Sequence, residues 1–161
     1  MSVVETSTIL WRQRELLSML LFKLDVESLV LSAGRSRWLG AATYEVELVL
    51  EQVRENEVLR AIAVDELADL LGLPPGPSLA DLTDALDEPW RSTFADHRKE
   101  LISLSAEIDA AVRTNRGLLT SGQRAVQEAL HTVTGSSDLY RQDGTTAPAG
   151  HRSARLFDEA I

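Results

Sequence analysis

Residues 89–133 read PWRSTFADHRKELISLSAEIDAAVRTNRGLLTSGQRAVQEALHTV, and the reading of this stretch decides the fold. Trp90, Phe94, Leu101, Leu104 and Ile108 fall four, seven, three and four residues apart. Each of these spacings returns to one face of an α-helix. The stripe then broadens into neighbouring pairs, Leu118 with Leu119, Ala125 with Val126, and Ala129 with Leu130. A helix over all 45 residues of the stretch would be about 67 Å long, at ~1.5 Å per residue. In a chain of 161 residues only other long helices can cover it.

Working back from Pro89, the chain supplies those helices. Gly72 with Pro74, Pro75 and Pro77 is a helix stop followed by a rigid connector. Ser78 and Asp81 have capping-box spacing, so a short helix runs from Ser78 to about Ala85, with Leu79, Leu82 and Leu86 on its apolar edge. Its place is the end of a bundle. Before the connector, Ser36 to Leu71 reads as a second long helix. Ala42, Val46, Val49, Val53, Asn56, Arg60, Ala63, Leu67 and Leu70 alternate spacings of four and three, a coiled-coil-like seam. Asn56 and Arg60 interrupt it, and a seam Asn serves to fix register. The first helix starts near Ser2 and Glu5, which again have capping-box spacing. Leu10, Leu17, Leu24 and Leu31 recur every seven residues, while Leu20, Phe22, Leu29 and Val30 widen the apolar face enough for two neighbours. Gly34 is the expected stop and Ser36 the expected cap of the next helix.

The fold class that follows is all-α: an elongated antiparallel bundle of three long helices with one short connecting helix, coiled-coil-like packing and a flexible C-terminal tail. Gly117 and Gly122 could allow a bend in the last helix, and Gly135 is its expected end. Residues 136–150 read as linker, and RSARLFDEAI closes the chain with Leu156, Phe157 and Ile161. The expected division is a helical domain over 1–134 and a tail over 135–161. If the long helices run up, down and up, the last one regains the level of Ser36 at about position 124, by helix length. Ala125, Val126, Ala129, Leu130 and Val133 then lie beyond cover, and an uncovered apolar end is shielded by the tail, shared in an oligomer, or used for binding.

The chain carries a formal charge of −9, which speaks against binding a nucleic-acid backbone. It has no cysteine, so disulfides, thiolate metal sites and a Cys nucleophile are excluded. The apolar run from Leu16 to Phe22 falls far short of the ~20 residues needed to span a membrane. A soluble cytoplasmic protein is the expectation, without membrane insertion. A helical di-iron site needs two Glu-x-x-His motifs, whereas Glu128 with His131 offers one, so no metal or other cofactor is expected. His97, between Phe94 and Leu101, reads as a buried, satisfied histidine. No phosphate loop or nucleophile motif is present. The residues leave open an adaptor or chaperone, a structural coiled coil, or an enzyme whose site is not visible.

A resemblance narrows this. LWRQRELLSMLLFKLDVESLVLSAGRSRWL, EVELVLEQVRENEVLRAIAVDELADLLGLPPGPSLADL, NRGLLTSGQRAVQEALHTVTG and the tail from LYRQDG to RSARLFDEAI resemble the FlgN family of flagellar export chaperones in its high-GC Gram-positive form. The resemblance implies a non-enzymatic protein that binds hook-associated proteins in the cytoplasm, keeps them unassembled and delivers them to the flagellar type III export apparatus. It also implies a C-terminal amphipathic segment for substrate binding. The residues expected to line that surface are Leu119, Val126, Leu130 and Val133, with Leu139 and Tyr140 as further anchors. The alternative is a structural or adaptor coiled coil without an export client.

Overall fold

The computed structural model describes residues 2–138, with side chains described as far as Thr132. Four helices follow one another: α1 (Val3–Ser32), α2 (Ser36–Leu71), α3 (Leu79–Ala85) and α4 (Trp90–Asp138). Among the described residues there is no strand.

The helix ends follow from local chemistry. Ser2 caps α1: the Glu5 amide donates to Ser2 Oγ at 3.2 Å, and the Ser2 amide donates to the Glu5 carboxylate at 2.6 Å. That reciprocal bonding, the Ser2 amide first and its hydroxyl second, holds the Glu5 carboxyl below its ordinary pKa. At the other end the Arg35 amide donates to the Val30 carbonyl and the Gly34 amide to the Leu31 carbonyl, both at 3.1 Å. This pair of bonds is the Schellman motif, which needs a left-handed residue; Gly34 supplies it at φ +63°. The same motif closes α2, with Gly72 at φ +70° and the Leu73 amide reaching the Ala68 carbonyl at 2.9 Å. Ser36 does not cap α2 as expected. The Arg35 carbonyl already accepts from the Trp38 amide at 2.9 Å, so Arg35 takes the cap position and Ser36 is the first helical residue.

Ser78 caps α3 together with Asp81, and the Gly76 amide donates to the Asp65 carboxylate at 3.3 Å, tying the connector to α2. Pro89 follows a cis peptide bond and stands one residue before α4. The Glu88 carboxylate accepts from the Ser92 hydroxyl at 2.9 Å and the Ser92 amide at 3.3 Å, serving one of the orphan backbone donors of α4. At its far end α4 runs through Gly135 to Asp138, past the expected stop. A helical glycine costs about 1 kcal/mol relative to alanine but does not break the helix.

The long helices run up, down and up. Thr6, Gln13, Lys23 and Glu27 of α1 meet Ala63, Asn56, Glu45 and Thr43 of α2, so these two are antiparallel. Ser7 meets His97 and Leu24 meets Asn115, so α1 and α4 are parallel. The wide apolar face of α1 does serve two neighbours.

Two apolar clusters result. The first gathers Leu10, Val64, Leu67, Leu82, Leu86 and Phe94, with Trp90 and Leu101 packed on it. The short helix α3 therefore closes this end of the bundle through Leu82. The second gathers Leu20, Leu24, Val46 and Val49, with Ile108, Ala111 and Val112 against it. Fully burying one such side chain contributes about 1.5–3 kcal/mol. A polar layer of α1 and α2 residues adjoins these clusters. Asn56 Nδ2 donates to Gln13 Oε1 at 2.5 Å and to the Ile9 carbonyl at 3.4 Å, and Gln13 Nε2 donates to Glu57 at 3.2 Å. Arg60 bonds the same Glu57 through Nε at 2.9 Å.

The seam of α2 drifts. Leu70, expected inside, is 70% exposed, while Leu71 packs against the first cluster. A straight α-helix slips about 20° per heptad against a strict seven-residue repeat. Over the four heptads from Ala42 this carries Leu70 off the seam and brings Leu71 onto it. Phe22 and Leu29 of α1 are also exposed, at 57% and 70%.

The chain divides into two compact units, Met1–Gln123 and Arg124–Ile161. The first holds both apolar clusters. It ends one residue short of the level at which helix lengths bring α4 back to Ser36. In the second unit the described residues are the helical segment 124–138.

Candidate functional site

The last anchor of α4 inside the first unit is Asn115, which is 3% exposed. Its Nδ2 donates to the Leu24 carbonyl at 2.9 Å and to Glu27 Oε1 at 3.0 Å. Glu27 is itself buried on α1 and accepts from Thr43 of α2 through its other oxygen at 3.1 Å. Three helices thus meet on one carboxylate. Asn115 Oδ1 has no partner. Neither Asn115 nor Glu27 was singled out from the sequence. A signal for Asn115 existed: it continues the stripe of α4, seven residues after Ile108 and four after Ala111.

Past this anchor α4 changes character. Every residue from Leu119 to Thr132 is exposed. Leu119, in the first unit, is 38% exposed. Val126 and Leu130, in the second, are each 59% exposed and stand four residues apart. Val133 belongs to the helix by its backbone. Leu139 and Tyr140 lie outside the described residues, as do the expected linker and the closing segment with Leu156 and Phe157.

A second apolar surface lies between α1 and α4 within the first unit. It is a groove of about 500 Å³ lined by Trp11, Met19, Phe22 and Leu104, with Arg14 and Glu100 at its side. Arg14 stacks over the Trp11 ring at 4.2 Å and pairs with Asp96 at 2.9 Å.

His97 lies fully buried near this groove. Its Nε2 is 3.1 Å from Ser7 Oγ, and Arg14 NH1 is 3.4 Å from Nδ1. A guanidinium only donates, so Nδ1 is the acceptor and Nε2 carries the hydrogen that Ser7 accepts. The Trp11 and Phe94 rings meet the imidazole edge to face, with centroids at 5.0 and 6.1 Å. Ser7 beside a histidine superficially suggests a nucleophile and its base. The surroundings oppose it: both side chains are buried, and the far nitrogen faces a cation that disfavours the imidazolium a general base must form.

Burial, then the charge of Arg14, push the His97 pKa below its ordinary 6.5, and Asp96 opposes the shift. The sign of the linkage follows. Below the unfolded value the unfolded chain binds a proton that the folded chain refuses, so stability falls as pH drops through that value. Above it, His97 contributes no pH dependence. Urea titrations between pH 8 and pH 5 should show this loss setting in below about 6.5, and His97→Gln should remove that part of the slope.

Among the described residues, no three of His, Cys, Asp and Glu stand close enough to hold a metal ion. No helix there is long and apolar enough to cross a membrane. A family model described as FlgN protein matches residues 1–148. The chain belongs to the FlgN family. No curated protein and no solved structure gives a significant match. The FlgN match runs through all four helices, so the bundle and the exposed part of α4 both belong to it. FlgN proteins are flagellar export chaperones that bind flagellar proteins.

Proposed function

We propose that this FlgN protein acts in the cytoplasm as the export chaperone of hook-associated proteins, the subunits that join hook to filament. It keeps them from assembling early and hands them to the type III export apparatus. The observation that carries the reading is the run of exposed residues from Leu119 to Thr132, in which large apolar side chains keep helical spacing. Val126 and Leu130, four residues apart and each 59% exposed, put apolar surface on one side of this part of the helix.

The mechanism is recognition of one amphipathic segment by another. A client segment lays its apolar side along Leu119, Val126, Leu130 and Val133, and Leu139 and Tyr140 are assigned to it as further anchors. Burying the client's assembly surface is the whole task, so no bond is made or broken and no nucleotide or metal enters. The client segment orders as it binds, which lowers the net affinity and eases release at the export apparatus. In this reading residues 1–134 form the working domain and 135–161 its tail.

The test is calorimetry of the full chain with a purified hook-associated protein. Val126→Asp with Leu130→Asp should weaken binding roughly 100-fold, as expected for two central apolar anchors. Circular dichroism should show the helical content unchanged. Unaltered affinity in a folded variant would sink the proposal. A stable homo-oligomer that ignores every hook-associated protein would favour the structural coiled coil instead.

A further inference from the structure

The part of α4 that loses its cover also changes charge. From Ala110 to Gln127 the helix carries three arginines, Arg113, Arg116 and Arg124, and no carboxylate. All three are exposed. At about 100° per residue, Val126 and Leu130 fall within about 20° of Leu119 round the helix. Arg116, Arg113 and Arg124 fall about 60°, 120° and 140° from Leu119, all to the same side. The other flank, with Leu118, Gly122, Ala125 and Ala129, is uncharged. Gln123, about 40° from Leu119, borders the apolar line and is neutral. Glu128, the next carboxylate along the chain, falls on the far side at about 180°.

The bundle does not neutralise this basic flank with its own acids. Asp109 stands one turn before Arg113 but does not pair with it. Among the described residues no ion pair joins Arg113, Arg116 or Arg124 to a carboxylate. Glu27, at the level of Asn115, is buried and already accepts from Asn115 and Thr43. Beyond it, from Ser28 to Tyr44, the chain carries Arg35 and Arg37 and no carboxylate. An apolar line bordered by charge of one sign chooses its partner by the opposite sign. The aliphatic side chains on the line suit a polypeptide helix. A single-stranded nucleic acid would look for aromatic rings to stack on, and α4 has no Phe, Tyr or Trp after Phe94.

We propose that the segment docking on the exposed part of α4 is an acidic amphipathic helix, its apolar side on Leu119, Val126 and Leu130 and its carboxylates towards Arg116, Arg113 and Arg124. This rests on the reading of α4 as the client surface and adds the chemistry by which the client is chosen.

The test uses the full-length protein and two synthetic helical peptides of about 18 residues, matching the ~27 Å from Arg113 to Leu130. One carries leucine at every third or fourth position with glutamate between; the other has lysine in place of glutamate. The glutamate peptide should bind, more weakly at high salt, and the lysine peptide should not. Arg113→Glu with Arg116→Glu should weaken binding about tenfold or more, and Arg113→Gln with Arg116→Gln about threefold or more. Arg98→Glu with Lys99→Glu makes the same change in net charge on the bundle half of α4 and should alter binding by less than about twofold. All four residues are exposed, and circular dichroism checks that each variant is folded. The proposal is overturned if neither peptide binds, if the two bind alike, if the Arg113 and Arg116 variants bind as the parent does, or if the Arg98 and Lys99 variant loses as much. It is also overturned if sedimentation shows a dimer that the Arg113 and Arg116 substitutions dissolve. The same variants titrated with a hook-associated protein separate the two readings. If Val126→Asp with Leu130→Asp loses that client while the arginine variants keep it, the surface stands and its charge preference falls. If every variant keeps it, the surface reading falls as well.

Discussion

Phe94→Ala should lower the stability of the bundle by about 3–5 kcal/mol, the range for emptying a phenylalanine site in a packed core. Phe94 is fully buried at the point where α1, α2, α3 and α4 converge, among Leu10, Leu67, Leu82 and Leu86. Its ring also meets the edge of His97. The surrounding groups come from four elements, each held elsewhere, so the site cannot collapse on the space left behind. Urea unfolding followed by circular dichroism measures the effect. A loss under about 1 kcal/mol would mean that this end of the bundle repacks and is not a close-packed core.

The second large effect is expected at Asn115→Ala, about 1–3 kcal/mol. The asparagine amide is a donor to the buried Glu27 carboxylate, whose other oxygen takes the Thr43 hydroxyl. Removing it leaves a buried acceptor short of one partner where water does not readily enter. Asn115→Leu should not be milder, because added apolar volume restores packing but not the donor. The asymmetry between Glu27 and Asn115 is a further check. Glu27→Leu together with Asn115→Leu removes both polar partners and should recover part of the loss. If the double variant is no better than the single one, the network does not couple the two residues.

Much of this architecture was legible because helix ends are local. Ser2 with Glu5, Ser78 with Asp81, and the glycines at 34 and 72 each act within a few residues, so their chemistry can be read without a partner. The apolar stripes were legible for the same reason, since spacing along one helix needs no knowledge of another. What escaped depends on register between helices. Glu27 meets Asn115 across 88 residues and Ser7 meets His97 across 90, and no spacing within either helix announces those meetings. Leu70 was misjudged because a strict heptad was extended one repeat too far along a helix with its own, slightly different period. The candidate surface was legible through length: comparing α2 with α4 indicated where cover would end.

The three-residue connection between α1 and α2 has a consequence for how the molecule comes into being. The polar contacts that join α1 to α2 span 16 to 57 residues of sequence, whereas those that join α1 to α4 span 82 to 91. Loop closure is easier over the shorter separations, and short-range contacts form faster. During synthesis the first hairpin can pair as soon as Leu71 has emerged, while the residues that complete its core are still unmade. Leu10 and Leu67 then wait with one side open until Phe94 arrives. A protein whose family shields the exposed surfaces of others thus passes through a brief stage at which its own surface is unshielded, and the speed with which α4 docks sets how long that stage lasts.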